Sequence, residues 1–307
     1  ISIPQTVTII GDSSFEGCSS LKDIIIPQTT NSIGKRCFYG CSSIEQIDIP
    51  DSISVLPDFV FSECSKMNRF TFPPAITSIG NNAFQRCRII EQIQLPSSLA
   101  SIGECAFSEC SSIKSLFVPK SVRKIGKDAF QKPSSLKLIA FTNSFAIDKI
   151  GLKNNKAKII CDEKESQVYF LFGKEFYNGE SVPKNKSEAM KYIKIAAEKG
   201  SPEAMFFYSQ ELFSGNVIQK NISEGFRYLK MSADNGYGEA MDSYAEKLYR
   251  GNDTSENKPE AFIYFEKGAK QNIPNSIFQC GYMLHVGEGI DKDLSRAAYY
   301  YELALKY

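Results

Sequence analysis

The sequence predicts an α+β solenoid, in which a β-rich array of short coils is followed by an all-α array of helix hairpins. Proline, phenylalanine and cysteine each recur at a step of 23 residues in the first half, and glycine recurs at a step of 36 in the second. Fixed periods of this size are typical of stacked repeat units, which present a long open surface. The repeated residues are Pro4, Pro27, Pro50, Pro73, Pro96 and Pro119; Phe15, Phe38, Phe61, Phe84, Phe107 and Phe130; Cys18, Cys41, Cys64, Cys87 and Cys110; and Gly179, Gly215, Gly251 and Gly287.

The 23-residue unit predicts one short strand in each coil. Apolar and polar residues alternate before each proline, which favours a strand, and the proline ends it because it has no N–H to donate. Stacked coils would place these strands about 4.8 Å apart in a parallel sheet, so that each apolar column forms a ladder in the core. The copy that starts at Pro73 shows the apolar positions: Ile76, Ile79, Phe84, Ile90, Ile93 and Leu95.

A glycine column marks a second special position in the coils. Glycine at a fixed position predicts either a turn with positive φ or a close approach between two backbones. Pro57 takes this position in the third coil, which predicts that this coil turns differently. The column holds Gly11, Gly34, Gly80, Gly103 and Gly126.

The cysteine column predicts a packed ladder of reduced thiols. Neighbouring cysteines on parallel strands fit disulfide geometry poorly, and a zinc site needs four converging ligands. Cys105 lies outside this column among polar residues, so we expect it to be the most exposed thiol. The single histidine, His285, shares a column with Phe213 and Tyr249, which indicates a packing role and not that of a catalytic base. We therefore expect no catalytic residues, no metal site and no cofactor.

Each 36-residue unit predicts a hairpin of two helices. On the first helix of one unit, Ala204, Tyr208 and Leu212 fall on one face at the helical period. Gly200 and Gly236 predict left-handed ends for the second helix. A column of Asn and Asp residues predicts helix N-caps, an interpretation that we favour over glycosylation although three asparagines head N-x-S/T sequons. The column consists of Asn185, Asn221, Asn257 and Asp293, and the sequons start at Asn185, Asn221 and Asn252.

The change of period predicts two domains, residues 1–162 and residues 163–307. They carry net charges of +4 (18 basic and 14 acidic residues) and −3 (18 basic and 21 acidic residues). These values are too even to favour nucleic acid or an anionic membrane as a partner. No apolar run has the length of a transmembrane helix, and no secretory signal is visible. The chain starts at Ile1 and stops at Tyr307 inside a predicted helix, so we expect a piece of a longer protein.

The first array resembles the BspA-like leucine-rich repeat family over about residues 1–162. The matching segments include IPQTVTIIGDSSFEGCSSLKDIIIP and PSSLASIGECAFSECSSIKSLFVP, and they imply a β-rich leucine-rich repeat solenoid. The second array resembles Sel1-like repeats, relatives of the tetratricopeptide class, in EAMKYIKIAAEKGSPEAMFFYSQELFSG and EGFRYLKMSADNGYGEAMDSYAEKLYRG. This resemblance implies an all-α helix-hairpin solenoid. Asn272 departs from it where a glycine cap is expected, as does Cys280 where a tyrosine is expected.

Variable positions that face away from the predicted core are the candidate partner-binding residues. In the first array they lie on the strands, and in the second they lie on the first helix of each hairpin. Aromatic residues at such positions are candidate hot spots, although packing on a neighbouring helix explains them equally well. The candidates are Asp23, Ile25, Gln46, Asp48, Arg69, Gln92, Gln94, Phe117, Phe206, Phe207, Asp242, Phe278 and Tyr282.

Two stacked solenoids predict a non-catalytic module for protein–protein interaction or scaffolding, and both resemblances imply the same function. One alternative is a cell-surface adhesin, because BspA-like repeats often bind host or matrix proteins. The other is a regulatory or targeting region of a larger enzyme, such as a kinase, whose catalytic domain lies outside these residues. Nine cysteines without a disulfide framework favour a cytoplasmic setting over the cell surface. The expected partner is a protein, with no nucleic acid and no direct membrane insertion.

Overall fold

The computed structural model describes residues 1–143, 149–152, 155–162 and 164–306. The chain divides into two compact units, Ile1–Val168 with Gly179–Pro183 and Tyr169–Asn178 with Lys184–Tyr307. The first unit is a β-solenoid of about six turns and the second is a helical repeat, which confirms the predicted fold class. The domain boundary at residue 162 stays a prediction.

The strands of the first unit are short and pair in parallel. Partner residues are one repeat apart within the regular coils, as in the pairing of Ile79 with Ile102, and 20 residues apart in the last pairing, that of Leu138 with Lys158. The pairings form a sheet of β1 and β2, a sheet ordered β3-β4-β6-β8, and a sheet ordered β10-β9-β7-β5. The strands are β1 (Ile9–Ile10), β2 (Ser32–Ile33), β3 (Val55–Leu56), β4 (Ser78–Ile79), β5 (Gln92–Gln94), β6 (Ser101–Ile102), β7 (Ser115–Val118), β8 (Lys124–Ile125), β9 (Leu138–Phe141) and β10 (Lys158–Cys161).

The phenylalanine column forms a stack of rings in the core of the first unit. The ring centroids of Phe15 and Phe38 are 5.4 Å apart, and those of Phe84 and Phe107 are 5.3 Å apart, with the planes within 7° of parallel. Phe38, Phe61 and Phe84 are fully buried. Because each ring packs against the ring of the next coil, the coils stabilise one another as the repeat pattern predicts.

The glycine column serves the close approach of neighbouring coils and not a left-handed turn. A Cβ added to Gly103 would lie 2.5 Å from the carbonyl carbon of Gly80, and one added to Gly126 would lie 2.4 Å from the backbone nitrogen of Glu104. Neither glycine has a positive φ. A side chain at these positions would therefore force two coils apart.

Two other columns adopt the left-handed backbone conformation in every coil. The first has φ between 52° and 58° although it contains no glycine, and the second has φ between 57° and 73°. These positions turn the chain at each corner of the coil. The first column is Ser13, Arg36, Phe59, Asn82, Cys105 and Asp128, and the second is Gly17, Gly40, Glu63, Arg86, Glu109 and Lys132.

The coil that contains Pro57 turns like the others, so the expectation of a different turn is wrong. Phe59 has the same positive φ as its equivalents, and its N–H donates to the carbonyl of Asn81 at 2.9 Å. The equivalent glycines have no positive φ, so proline, whose φ is near −65°, fits the same backbone. Proline at position 57 removes only the backbone N–H of that position. In the following coil, the equivalent N–H of Gly80 donates to the carbonyl of Leu56.

The second unit is built of paired helices whose starts are capped as predicted. The side chains of Asn185, Asn221, Asn257 and Asp293 accept hydrogen bonds of 2.9–3.2 Å from backbone N–H groups three residues later. None of the helices that the structure describes combines the length and the hydropathy needed to cross a bilayer. The helices are α1 (Glu165–Asn178), α2 (Lys186–Glu198), α3 (Pro202–Ser214), α4 (Ile222–Asp234), α5 (Gly238–Arg250), α6 (Lys258–Lys270), α7 (Pro274–Val286) and α8 (Leu294–Ala304).

The ends of three helices in this unit show why glycine recurs there. Gly200 and Gly236 have φ of 90° and 92°, directly after the C-caps of α2 and α4, which confirms their predicted left-handed conformation. Asn272 takes the equivalent position after α6 with φ of 62°. Asparagine is one of the few other residues that tolerate this conformation, so the departure from glycine leaves the hairpin intact.

Candidate interaction surface

Equivalent positions of α3, α5 and α7 are 36 residues apart, so their side chains line up along one side of the second unit. We call this side the first-helix face and define it by two columns: Phe206, Asp242 and Phe278, and Gln210, Glu246 and Tyr282. It includes most of the candidates that the sequence predicts in this unit. The structure gives them three different roles.

Phe206 and Phe207 on α3 are half-buried because they pack on other elements of the unit. The ring of Phe206 lies 5.4 Å from that of Tyr237, and the ring of Phe207 meets Tyr177 edge-on at 4.8 Å. The structure therefore shows that Phe206 and Phe207 pack on neighbouring elements, which was the alternative to a binding role. Only part of each ring faces solvent.

Asp242 on α5 is a link between helices. One of its carboxylate oxygens accepts a hydrogen bond from the hydroxyl of Ser276 at 2.6 Å, and both oxygens accept from the amide of Asn275 at 3.0 Å. Ser276 is fully buried. The carboxylate therefore joins α5 to α7, a role that its variable position in the repeat does not reveal.

Phe278 and Tyr282 on α7 are the exposed aromatic residues of the first-helix face. They are 49% and 37% exposed, and Val286, one turn further on, is 47% exposed. A spacing of four residues places all three on one side of the helix. The ring of Tyr301 on α8 lies 6.0 Å from that of Phe278 and extends the apolar surface. Gly281 permits this contact, because a Cβ there would lie 2.9 Å from Tyr301.

Two polar atoms at the equivalent positions of α3 and α5 are buried and unpaired. Among the residues that the structure describes, Nε2 of Gln210 and Oε2 of Glu246 have no hydrogen-bond partner. The other carboxylate oxygen of Glu246 holds Arg250 at 2.5 Å, which fixes the side chain. The positions equivalent to Tyr282 in α3 and α5 thus hold polar side chains with these atoms turned away from solvent.

The strand candidates of the first unit lie on its surface, with one exception. Gln92 and Gln94 flank the buried Ile93 on β5, so their side chains face solvent on the outer side of the sheet. The other exposed candidates occupy the positions equivalent to Gln92 and Gln94 in earlier coils. They are Asp23, Ile25, Gln46, Asp48 and Arg69.

Phe117 is buried, with 8% of its surface exposed, so the expectation of an exposed residue is wrong here. It lies on β7 opposite Gln94 of β5 on one side and Ala140 of β9 on the other. All four residues of β9 are buried, which means that both faces of the sheet are covered at this strand. The alternation of apolar and polar residues that marks β5 ends at this point in the sequence.

The buried cysteines of the column are not activated nucleophiles. Burial raises the pKa of Cys41 to about 11 and that of Cys110 to about 12, so both thiols are protonated at neutral pH. The most exposed thiols are Cys18, in the first coil, and Cys161, on the edge strand β10; Cys105 is half-buried, so the prediction that it is the most exposed is wrong. Among the described residues, no group of three or more His, Cys, Asp or Glu side chains is arranged to hold a metal ion.

His285 lies in the last turn of α7 and is exposed, which corrects its predicted role as a packing residue. Its ring keeps one edge-on contact with Tyr301 at 6.2 Å. The side chain at this position is more exposed in α7 than in α3 and α5, because the equivalent Phe213 and Tyr249 are half-buried.

Comparison with protein families agrees with this architecture. The model of the BspA-type leucine-rich repeat region matches six copies over residues 1–92 and 67–156. The model of the Sel1 repeat matches residues 168–201, 202–237, 238–273 and 274–306. The chain belongs to the BspA-type leucine-rich repeat family, and its second half consists of Sel1 repeats. Both families are typically non-catalytic and suggest a protein-interaction module. No curated protein sequence matches the chain.

Solved structures resemble each half of the chain separately. A leucine-rich cell surface protein from Faecalibacterium prausnitzii is 32% identical over 45% of this chain and 37% of its own, with a TM-score of 0.41. A protective antigen of uropathogenic Escherichia coli with an SLR fold is 24% identical over 46% of this chain and 30% of its own, with a TM-score of 0.44. A Sel1 repeat protein from Oxalobacter formigenes is 23% identical over 46% of this chain and 58% of its own, with a TM-score of 0.43. The chain spans less than two thirds of each of these proteins.

Proposed function

We propose that this chain is a non-catalytic module that recognises another protein, and that the first-helix face of the second unit is its main binding surface. The observation that carries the proposal is the apolar stripe on α7, where Phe278, Tyr282 and Val286 are exposed one turn apart. Exposed aromatic side chains of this kind supply most of the energy in many protein interfaces.

The chemistry of the face defines what a partner would offer. The α7 stripe favours an apolar side chain, because burying it removes both surfaces from water. A partner segment with an apolar anchor satisfies this requirement.

The exposed strand positions of the first unit form a second, polar contact surface in this proposal. Gln92 and Gln94 lie on β5, which holds both on the outer face of the sheet. The remaining members are Asp23, Ile25, Gln46, Asp48 and Arg69. Phe117 and Asp242 are excluded from direct binding, because the first is buried and the second is occupied by Ser276 and Asn275.

The test compares a double substitution on the first-helix face with the substitution of a similarly exposed residue on another helix. We would capture partners from a lysate with the parent chain, with Phe278→Ala plus Tyr282→Ala, and with Ile263→Ala. Ile263 is 53% exposed on α6, outside the first-helix face. We expect a protein that the parent and Ile263→Ala retain and that the double variant loses.

A purified pair then decides the question by calorimetry. Removing two aromatic hot spots should weaken the Kd at least about tenfold, since each contributes about 1–2 kcal/mol or more. An unchanged Kd in the double variant, or an equal loss in Ile263→Ala, would reject the first-helix face as the binding surface.

A reducing, cytoplasmic setting is part of the proposal. Its support is the state of Cys18 and Cys161, which are exposed thiols without a disulfide partner. Exposed thiols persist where the compartment is reducing. Mass spectrometry of the protein isolated under alkylating conditions checks this, and oxidation of both thiols in the cell would contradict it.

A further inference from the structure

The charged residues of the first unit are distributed unevenly along its sequence. Residues 113–158 contain eleven lysine and arginine residues and two aspartates, a net charge of +9. Residues 1–112 contain seven basic and eleven acidic residues, a net charge of −4. The last coils are therefore strongly basic, whereas the earlier coils are mildly acidic.

A cleft of about 680 Å³ opens in this basic part of the unit. Its lining includes the lysines Lys132, Lys137 and Lys156, with Asp128 as the single carboxylate among the lining residues that the structure describes. Gln131 and Ser134 add polar side chains that can donate hydrogen bonds. The volume lies in the range of sites that hold several side chains or a small molecule.

The fold builds the cleft between the last full coil and the segment that follows it. These two parts are joined on one side, where the N–H of Phe130 donates to the carbonyl of Ile150 at 2.9 Å. They are joined on the other side, where the N–H of Lys158 donates to the carbonyl of Lys137 at 2.8 Å. The cleft lies between these two attachments.

Asn155 fixes the rim of the cleft. Its side-chain amide donates to the carbonyl of Pro133 at 3.1 Å, and its side-chain oxygen accepts from the N–H of Ala157 at 2.7 Å. Pro133 stands where the earlier coils have their cysteine, and its carbonyl accepts the bond from Asn155. The rim is thus held in place before any ligand binds.

The lysines of the cleft are poorly neutralised. Within the described part of the chain, no carboxylate forms an ion pair with Lys137 or Lys156. Lys132 lies 3.4 Å from Glu109, but that carboxylate also binds Arg86 at 3.2 Å. Several positive charges around one concavity attract an anionic ligand.

We propose that this cleft binds an acidic protein segment, rich in aspartate and glutamate. Carboxylates match the ammonium groups and the amide and hydroxyl donors of the lining. Single-stranded nucleic acid is less suited, because bases stack on aromatic rings and the described lining has none. A flat bilayer surface contacts only the rim. This site is separate from the first-helix face, so either proposal can fail without the other.

The experiment measures binding of a fluorescein-labelled peptide of alternating glutamate and glycine to the full chain by fluorescence anisotropy. We expect saturable binding that Lys132→Gln plus Lys137→Gln plus Lys156→Gln weakens at least about tenfold. All three side chains are exposed, so the triple variant should keep the circular dichroism spectrum and the melting temperature of the parent.

The matched control is Arg123→Gln plus Lys124→Gln plus Lys127→Gln, which removes the same charge from residues outside the cleft lining. We expect the control variant to weaken binding less than threefold, because it lowers only the long-range electrostatic attraction of the peptide. Equal weakening by both triple variants, or no saturable binding, overturns the proposal. So does tighter binding of single-stranded DNA or of phosphatidylserine vesicles with the same dependence on the cleft lysines.

Discussion

The thiol of Cys87 donates a hydrogen bond to the carbonyl oxygen of Phe61 in the preceding coil, with 3.1 Å between sulfur and oxygen. The same bond joins Cys64 to Phe38 at 3.2 Å and Cys110 to Phe84 at 3.0 Å. Each of these carbonyls also accepts from a backbone N–H of its own coil, so the thiol adds a second hydrogen bond that joins the two coils. This role explains why a small residue with a weak donor recurs once in each coil.

The first prediction concerns this bond. Cys87→Ala removes the thiol donor to the Phe61 carbonyl, which keeps its bond from the N–H of Cys64, and it removes a buried sulfur, so we expect the free energy of unfolding of the first unit to fall by about 1–3 kcal/mol. Urea unfolding followed by circular dichroism measures it. Cys161→Ala, at an exposed thiol, should change it by less than about 0.5 kcal/mol. Equal effects of the two substitutions would show that the ladder does not stabilise the fold.

The second prediction concerns alkaline pH. Burial raises the pKa of Cys37 and of Cys110 to about 12 from the ordinary 9.0. In the unfolded chain these thiols ionise near pH 9, while in the folded chain they stay protonated. Their contribution to stability is therefore complete below pH 9 and is lost as the pH rises toward 12, by up to about 1.4 kcal/mol per pH unit for each thiol.

Urea titrations at pH 8, 9, 10 and 11 check this dependence. Cys110→Ala removes one of the thiols, so its free energy of unfolding should fall less steeply above pH 9 than that of the parent. A parallel decline in the parent and the variant would mean that other groups, such as buried tyrosines, account for the whole effect.

The third prediction compares two glycines of one column. Gly103→Ala places a Cβ 2.5 Å from the carbonyl carbon of Gly80, so one coil must move away from the next. We expect a loss of about 2–3 kcal/mol in the free energy of unfolding. Gly11→Ala meets only the hydroxyl of Ser14 at 3.7 Å and should be tolerated. Thermal unfolding of both variants distinguishes close approach from a general requirement for glycine.

The fourth prediction separates stability from recognition on the first-helix face. Asp242→Ala removes the acceptor of the buried Ser276 hydroxyl, so the second unit should lose about 1–3 kcal/mol of stability. Ser243→Ala, on the same helix, should have little effect. At a temperature where both variants are folded, Asp242→Ala should bind a partner as the parent does. A folded Asp242→Ala protein with more than tenfold weaker binding would make Asp242 a contact residue.

The repeated residues predict the fold because every coil and every hairpin uses them in the same way. The phenylalanine stack and the caps at Asn185 and Asn221 follow from columns that are visible in the sequence. The corner positions are not visible, because left-handed φ is adopted there by residues as different as Phe59 and Cys105. The surrounding coils impose that conformation, and no local preference of those residues reveals it.

The candidate surface could be predicted only in part. Variable positions identify Phe278 and Tyr282 correctly as exposed, but they also include Phe117 and Asp242. The burial of Phe117 depends on what covers the end of a sheet, and the bond of Asp242 depends on a partner in the next hairpin. Both are contacts distant in sequence, so neither the residue type nor the period predicts them. The same holds for the cleft near Lys137, whose shape depends on two separate attachments of the following segment.

The constant interval between contacting residues affects how this gene can change. Many contacts between coils, such as the ion pair of Arg86 with Glu109, join positions 23 residues apart, and the others recur with the same period, as the thiol bonds do. Gain or loss of 23 codons therefore adds or removes one whole layer, and the layers on either side still meet through matching surfaces. Recombination between copies can lengthen or shorten the array in such steps, whereas an insertion of any other size breaks the alignment of every column that crosses it.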